Sequence, residues 1–298
     1  MSFFTVSRQA PGAAASARKG LFAAHRWLLL RRLSQLTILG LFLAGPWFGS
    51  WIVKGNLASS LLLDTVPMTD LFLLAQTLAS GHWPYLTAWI GGGVVLAFYL
   101  LVGGRVYCSW VCPVNMLTDA AAWSRRRLGL KTGRTPPRSL RFWLLGAVLL
   151  ASALAGTMVW EWVNPVSTLQ RAIIFGGVMG WATLAWLIVG GVFVYDLFLA
   201  PRGWCGHVCP MGACYNLVNK AALVRVAADQ RAACNDCMDC FTVCPEPQVI
   251  RPALKGSGTP LITSSDCTNC GRCIDVCSEN VFHITLRTSR FNSRREAS

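Results

Sequence analysis

The sequence predicts an α-helical integral membrane protein with a small α+β domain at its C-terminus. Only 13% of the 298 residues are charged, whereas soluble domains carry about 25%. Four charge-free stretches are long enough to cross a hydrocarbon core of ~30 Å. Helices buried in a large soluble protein would carry charges on one face, and these stretches carry none. The four predicted spans are Leu33–Val53, Leu86–Gly104, Phe142–Trp160 and Ala172–Tyr195.

The distribution of basic residues predicts how these spans are oriented. Six basic residues and no acid precede the first span, and eight basic residues and one acid, Asp119, lie between the second and third. The other two loops contain only Lys54 and Arg171 as cations. By the positive-inside rule, both termini and the Arg-rich loop face the cytoplasm of a bacterial inner membrane. The net charge of +14 therefore indicates membrane orientation and argues against nucleic-acid binding.

Composition divides the chain into five segments. A short amphipathic pattern after Asp64 further predicts a helix at the outer membrane surface, with Leu71, Leu74, Ala75 and Leu78 on one face. After Val226, closely spaced cysteines mark a compact soluble domain. The predicted segments are a flexible basic arm (1–32), a four-helix membrane domain (33–200), a linker (201–226), the compact domain (227–286) and a disordered tail (287–298).

An internal repeat links two cysteine motifs. The stretches GRVYCSWVCPVNM and PRGWCGHVCPMGA share an arginine three residues before the first cysteine, an aromatic residue directly before it, and then C-x2-V-C-P. The motifs occupy residues 108–113 and 205–210, each after the second helix of a pair. Two helix pairs in parallel orientation would bring both motifs to one membrane face.

The compact domain contains C-x2-C-x2-C-x3-C twice. This is the bacterial ferredoxin run, in which three cysteines bind one [4Fe–4S] cluster and the fourth binds its neighbour. We therefore expect one cluster on Cys234, Cys237, Cys240 and Cys277, and a second on Cys267, Cys270, Cys273 and Cys244. Zinc is disfavoured because its sites show separated CxxC or Cys/His pairs. Disulfides are disfavoured in a reducing cytoplasm.

The CxxxCP cysteines allow three interpretations. Cys108, Cys112, Cys205 and Cys209 could converge on a further redox site, either a third iron–sulfur centre or a cycling dithiol. They could also be reduced thiols that only pack helix ends, although their duplication argues against this. Cys214 has no counterpart in the first copy and is predicted to be a core thiol. His207 is not predicted to be a ligand, because Trp110 stands at its repeat position.

The histidines exclude one kind of electron carrier. The four histidines are His25, His82, His207 and His283, and none lies inside a predicted span. An intramembrane b-type haem needs axial ligands at depth, usually histidine. The spans are therefore not expected to hold a haem that connects the two membrane faces.

Several further segments resemble the NapH family: GPWFGSWIVKGN, SSLLLDTVPMTD, WEWVNPVS, the two CxxxCP motifs and CMDCFTVCPEPQ with CGRCIDVCSENVF. The resemblance covers residues 25–285. It implies a membrane component of the quinol dehydrogenase that serves periplasmic nitrate reductase. It also implies four spans, two cytoplasmic [4Fe–4S] clusters, a periplasmic ferredoxin-like partner of the NapG type and multihaem cytochromes. These implications conflict in one respect, because the electron acceptor is periplasmic while the two clusters lie on the cytoplasmic side of the membrane.

Oxidation of a quinol also releases protons, so a carboxylate or histidine at the outer interface is a candidate base. Asp64, Asp70, His82 and Glu161 are predicted on that side, and we select Asp64 and Glu161 for a quinol site. The competing interpretation makes these acids solvated, with Trp160 and Trp162 as interfacial anchors.

A second function remains open from the sequence. Related membrane proteins with CxxxCP pairs and ferredoxin quartets act in metal-centre maturation or redox sensing. Those of the copper-oxidase assembly type carry a further domain after the ferredoxin part, and this sequence ends soon after Leu286. The sequence therefore favours the quinol-linked role.

Overall fold

The computed structural model describes residues 10–130, 133–174, 181–256 and 258–288. Most of these residues are helical, and two small antiparallel sheets interrupt the helices. In chain order the helices are α1 Ala13–Lys19, α2 Leu21–Ala24, α3 Arg26–Phe48, α4 Leu71–Ala79, α5 Leu86–Val102, α6 Val114–Arg127, α7 Leu140–Ala155, α8 Trp160–Val163, α9 Pro165–Ile174, α10 Trp181–Val194, α11 Pro210–Asn219, α12 Asp239–Val243, α13 Ile250–Lys255 and α14 Arg272–Val276. The strands are β1 Val53–Gly55, β2 Ser59–Leu62, β3 Val66–Thr69, β4 Val224–Ala228 and β5 Phe282–Leu286.

Four apolar helices occupy the positions of the predicted spans. Within the described residues, α3 alone is both long and apolar enough to cross a membrane. The shorter apolar helices are Leu86–Val102, Leu140–Ala155 and Thr183–Leu199. Helix α3 starts at Arg26 and ends at Phe48, so it begins and ends earlier than the predicted first span. Part of the predicted fourth span, residues 175–180, lies outside the described residues.

A three-stranded sheet follows α3 and packs against α5. Its strands run in the order β1-β2-β3, with Leu61 opposite Pro67 in the β2–β3 pair. Gly91 allows α5 to approach this sheet, because a Cβ there would lie only 2.9 Å from the Thr69 Oγ1. Helix α4 forms as predicted, but its buried face carries Phe72 and Gln76 rather than the predicted leucines. Helix α4 therefore packs into the protein through a different face.

The ferredoxin-like domain starts before its predicted boundary at residue 227. Strand β4 pairs with β5 in antiparallel register, with Val226 opposite Ile284. The predicted linker, residues 201–226, is instead ordered structure that contains α11 and the start of β4. Arg287, assigned to a disordered tail, donates its amide to the Leu223 carbonyl at 2.7 Å. Residues 289–298 of that predicted tail lie outside the described residues.

The N-terminal segment is docked on the ferredoxin-like domain, unlike the flexible arm predicted for residues 1–32. Its short helices α1 and α2 precede α3, and Arg18 forms an ion pair with Glu279. The amides of Trp27 and Leu28 donate to Asp275 at 3.1 and 3.0 Å. These contacts hold the segment in place. Their partners lie about 250 residues away in the sequence, so the sequence pattern did not reveal them. Residues 1–9 of the predicted arm lie outside the described residues.

Candidate redox centres

Two groups of four cysteines line separate cavities in the ferredoxin-like domain. The first cavity, of about 370 Å³, is lined by the first three cysteines of one quartet and the last of the other: Cys234, Cys237, Cys240 and Cys277. The second, of about 360 Å³, is lined by Cys244, Cys267, Cys270 and Cys273. We call them the distal and proximal groups. The structure thus brings together each set of four cysteines that the ferredoxin spacing predicts to bind one cluster.

The donor atoms fit [4Fe–4S] clusters. Each group offers four thiols around a cavity, and the Val281 amide donates to the Cys277 sulfur at 3.4 Å. Hydrogen bonds to sulfur of this kind tune iron–sulfur centres. Among the described residues, no set of three or more Cys, His, Asp or Glu side chains is arranged to hold a metal ion.

The groups differ in exposure. Cys237 of the distal group is exposed, whereas Cys270 and Cys273 of the proximal group are buried. The distal group therefore lies at the protein surface. Two of the four proximal cysteines are therefore shielded from solvent.

The two CxxxCP motifs have the same local structure. Each forms a five-residue π-helical turn, Tyr107–Val111 and Trp204–Val208. In both copies the amide of the second cysteine donates back to the first residue of the turn, at 2.9 Å. That cysteine is extended, and the proline after it directly precedes α6 as Pro113 and begins α11 as Pro210. At either position its missing N–H leaves no helical hydrogen bond unmade. Turns of this kind occur frequently at functional sites.

The four CxxxCP cysteines meet at one cavity of about 390 Å³. Cys108, Cys112, Cys205 and Cys209 all line it, and we call them the four-cysteine site. Cys108 is buried and the other three are half-buried. Burial raises the pKa of the Cys209 thiol to about 12. Free thiols here would therefore be protonated at neutral pH, and thiolates would need a bound metal to stabilise them.

The wall opposite the cysteines comes from the segment after α7. Trp160, Asn164 and Val166 line the cavity together with Tyr107 and Met211. Trp160 was predicted to be a possible interfacial anchor, but only 7% of it is exposed, because α8 folds back against α4. Its amide donates to the Gln76 Oε1 at 3.0 Å. Trp162 is 59% exposed and remains compatible with an interfacial position.

The first CxxxCP motif contacts the loop of the proximal group directly. Ser109 Oγ donates to the Thr268 carbonyl at 2.7 Å, and Trp110 Nε1 donates to the Asn269 carbonyl at 3.2 Å. Both acceptors lie between Cys267 and Cys270. The residues between the cysteines of the first motif therefore hold the loop that carries two proximal cysteines.

The repeated arginines also bind this region. Arg105 donates to Asp266 O at 2.8 Å, to Cys205 O at 3.1 Å and to Glu246 Oε1 at 3.2 Å. Its counterpart in the second copy, Arg202, donates to the Cys244 carbonyl. Sequence comparison of the two copies identified both arginines, but not what they bind.

Half-buried carboxylates neutralise the cationic side of this interface. Arg141 pairs with Asp266; burial alone would raise the pKa of Asp266, but the hydrogen bond and charge of Arg141 lower it. Asp119 likewise accepts ion pairs from Arg31, Arg32 and Arg272. Burial opposes ionisation of Asp119, yet these arginines lower its pKa. Asp119, the single acid of the Arg-rich loop, therefore joins α3, α6 and the start of α14.

The four candidate bases of the outer side separate in the structure. Asp64 is exposed and pairs with Lys54, and His82 is exposed. Glu161 is half-buried and accepts from Asn164 Nδ2 at 3.1 Å and from Ser167 Oγ at 2.7 Å. Asp70 is only 5% exposed. Glu161 is thus linked through Asn164 to the wall of the four-cysteine cavity, and the structure shows no such link for Asp64.

Cys214 and His207 do not line the four-cysteine cavity. Cys214 is half-buried and packs near Met211 and Tyr215 in the apolar cluster. His207 is buried, and its Nδ1 has no hydrogen-bond partner among the described residues. Burial lowers the pKa of His207, which keeps its ring neutral.

Family models match both cysteine-rich regions. A model described as a 4Fe-4S binding domain matches residues 85–131 and again 179–227, and each match contains one CxxxCP motif. A 4Fe-4S dicluster domain matches residues 233–281. The internal repeat is therefore a repeat of a recognised iron–sulfur module.

Curated relatives match nearly the whole chain. The ferredoxin-type protein NapH of Escherichia coli is 50% identical over 93% of this chain and 96% of its own. The methylamine utilization ferredoxin-type protein MauN of Methylorubrum extorquens is 51% identical over 91% and 93%. Protein RdxA of Cereibacter sphaeroides is 23% identical, over 89% of this chain and 58% of its own. No solved structure matches significantly.

Proposed function

This chain belongs to the NapH and MauN family of ferredoxin-type proteins, and we propose that it is a membrane-bound subunit that passes electrons from quinol towards a periplasmic acceptor. The family and the 4Fe–4S domains make it an iron–sulfur electron-transport protein. The quinol donor, the four spans, the cytoplasmic ferredoxin domain and a periplasmic NapG-like partner are parts of the proposal. They rest on the family resemblance and on the charge distribution.

The observation that carries the proposal is the contact between the four-cysteine site and the proximal group. The distal group, the proximal group and the four-cysteine site follow one another from the exposed edge of the ferredoxin-like domain towards the apolar helices. Bound iron–sulfur clusters would supply one-electron transfer at these positions. The chain itself contributes thiol ligands, a buried arginine clamp and a dry surrounding. Such an arrangement favours electron transfer over chemistry on an organic substrate.

We infer that the four-cysteine site holds a third iron–sulfur centre. Two matches to a 4Fe-4S binding domain each contribute one CxxxCP pair, and four thiols around one cavity are a complete ligand set for a cubane. A cycling dithiol is the alternative. It would leave the iron content at about eight atoms per chain rather than about twelve.

The donor side of the proposal lies at the wall opposite these cysteines. Asn164 lines the cavity and donates to Glu161, so Glu161 is placed to accept a proton from a quinol bound beside that wall. Asp64 was selected with it, but its exposure and its ion pair with Lys54 favour a solvated role.

The terminal acceptor is proposed to be periplasmic nitrate reductase, reached through multihaem cytochromes. The similarity to the methylamine utilization protein MauN is equally high, so a methylamine-linked chain is a second candidate. Deletion of the gene should abolish anaerobic growth on nitrate for the first and growth on methylamine for the second.

The decisive experiment mixes the purified protein anaerobically with a water-soluble quinol and follows cluster reduction by EPR. Variants Cys108→Ser, Cys205→Ser and the double variant are compared with Cys214→Ser, which alters a nearby thiol outside the cavity. If the site acts as a unit, each single change should abolish reduction as completely as the double, because residues that act together are non-additive.

The ferredoxin-domain signals should persist in all four variants, and Cys214→Ser should behave as wild type. Mild, additive losses would mean that the motifs only pack helix ends. No reduction of wild-type protein by the quinol would overturn the donor assignment and leave metal-centre maturation or redox sensing as the function.

A further inference from the structure

Asp70 is a buried carboxylate without a cationic partner among the described residues. It is 5% exposed, and its Oδ2 caps α4 by accepting the amides of Phe72 at 2.9 Å and Leu73 at 3.0 Å. Its Oδ1 accepts the Tyr215 hydroxyl at 2.6 Å. Within the described residues, no lysine, arginine or histidine forms an ion pair with it. An ionised carboxylate in such a place is costly.

Other carboxylates of the redox region pair with arginine: half-buried Asp119 and Asp266 and buried Glu246. Among the described residues, buried Asp196 forms no ion pair either, but it accepts the Trp204 amide at 2.9 Å rather than a hydroxyl. The titratable groups that face Asp70 are the hydroxyls of Tyr99, Tyr107 and Tyr215, the Cys214 thiol and the Glu161 carboxylate. Burial, with a smaller effect from Glu161, raises the pKa of Asp70 to about 6.

Stacked aromatic rings connect Asp70 with the four-cysteine site. The Tyr215 ring lies parallel to the Tyr107 ring, with centroids 4.7 Å apart, and Tyr99 packs edge-on against both. Tyr107 lines the cavity of the four cysteines and directly precedes Cys108. This apolar packing leaves little water between them, so an added charge at the cysteines would act on Asp70 with little screening.

We propose that Asp70 is a redox-linked proton site, which takes up one proton when the four-cysteine centre is reduced and releases it on reoxidation. This rests on the proposed function, which places a redox centre there and names quinol as reductant. One electron enters the centre and one proton forms an O–H bond on the Asp70 carboxylate. The added negative charge is thereby compensated inside the protein. The Tyr215 hydroxyl keeps its own proton and orients the accepting oxygen.

A cap alone would not require an ionisable side chain. Asparagine caps helices about as well as aspartate: its Oδ1 can accept the amides of Phe72 and Leu73, and its Nδ2 can donate to the Tyr215 hydroxyl oxygen. Asp70→Asn is therefore a conservative test. It keeps the shape and the cap, reverses the direction of the bond to Tyr215, and removes the capacity to bind a proton. Asp64→Asn is the matched control, because that acid lies in the same loop region but is exposed.

The measurement is the midpoint potential of the four-cysteine centre between pH 5 and 9, titrated with dithionite and followed by EPR. In wild type the midpoint should be flat below about pH 6 and then fall by up to about 59 mV per pH unit, the one-electron equivalent of a tenfold change. Asp70→Asn should remove the slope, and Asp64→Asn should retain it. A slope that survives in Asp70→Asn overturns the proposal.

A second variant tests the proposal if Asp70→Asn does not fold or assemble. Tyr215→Phe removes the hydrogen bond that favours the ionised carboxylate, so the bend in the pH curve should move to higher pH. An unchanged bend overturns the proposal. Failure of the proposed function would give a different result. If the wild-type protein contains about eight irons and shows no third EPR signal, the four-cysteine site holds no cluster, and both the third centre and the proton site at Asp70 are ruled out.

Discussion

Replacing Arg105 by methionine should loosen the contact between the four-cysteine site and the proximal group. The side chain of Arg105 is 2% exposed, and it forms an ion pair with the equally buried Glu246. It also donates to the carbonyls of Asp266 and Cys205. Methionine fills most of the volume but leaves three buried acceptors without this donor.

The size of the effect follows from these contacts. Breaking a buried ion pair by removing one partner costs about 3–5 kcal/mol. Glu246 keeps a second partner, Arg138, at 3.2 Å, so we expect a value near the lower end, about 3 kcal/mol. At roughly 2–4 °C per kcal/mol for chains of this size, the melting temperature should fall by about 6–12 °C.

The assay follows thermal loss of the iron–sulfur absorbance in detergent, with Arg138→Met as the matched control. Arg138 binds the same carboxylate, but its side chain is 43% exposed, so its removal should cost no more than about 1 kcal/mol. Equal melting temperatures for the two variants would refute the reasoning, because burial would then not decide the strength of the clamp.

Three further outcomes are expected. Cys237→Ser should lose about four irons per chain and one EPR signal, measured by iron analysis; stoichiometric zinc with no iron would contradict the ferredoxin assignment. Asp119→Asn should lower the free energy of unfolding at neutral pH but not in acid, measured by denaturation at several pH values. The reason is that the pKa of Asp119 is lowered in the folded protein. The ionised carboxylate therefore stabilises the fold above the ordinary aspartate pKa of 3.8, and this contribution is lost as the pH falls below that value. Reporter fusions after Asp64 and Arg127 should report the outside and the cytoplasm respectively, and the reverse result would overturn the charge-based orientation.

Cysteine spacing predicted which cysteines of the ferredoxin-like domain lie together, because ligand geometry is largely local. Three cysteines at intervals of three residues must turn around one centre, so the quartets identified both groups in the ferredoxin-like domain. The repeat likewise predicted that the CxxxCP pairs could converge, and the structure brings Cys108, Cys112, Cys205 and Cys209 to one cavity.

The remaining parts of the site depend on partners far apart in the sequence. Arg105 and Glu246 are separated by 141 residues, and no periodicity marks such a pair. Trp160 was assigned to the membrane interface because aromatic residues at span ends usually lie there. Its burial results from α8 packing on α4, and only the tertiary structure contains that information. Arg31 and Arg32 are among the six basic residues that the sequence analysis used for membrane orientation, and the structure pairs both with Asp119.

Cross-ligation explains how both copies of the repeat can hold one group of cysteines. The proximal group takes Cys244 from the first quartet and its other three cysteines from the second. Arg202 of the second copy binds the Cys244 carbonyl, while Ser109 of the first copy binds the Thr268 carbonyl of the second quartet. If each quartet enclosed its own cluster, the two copies would contact different clusters. With crossed quartets they would contact the same one, which would give the proposed electron path a single junction with the four-cysteine site.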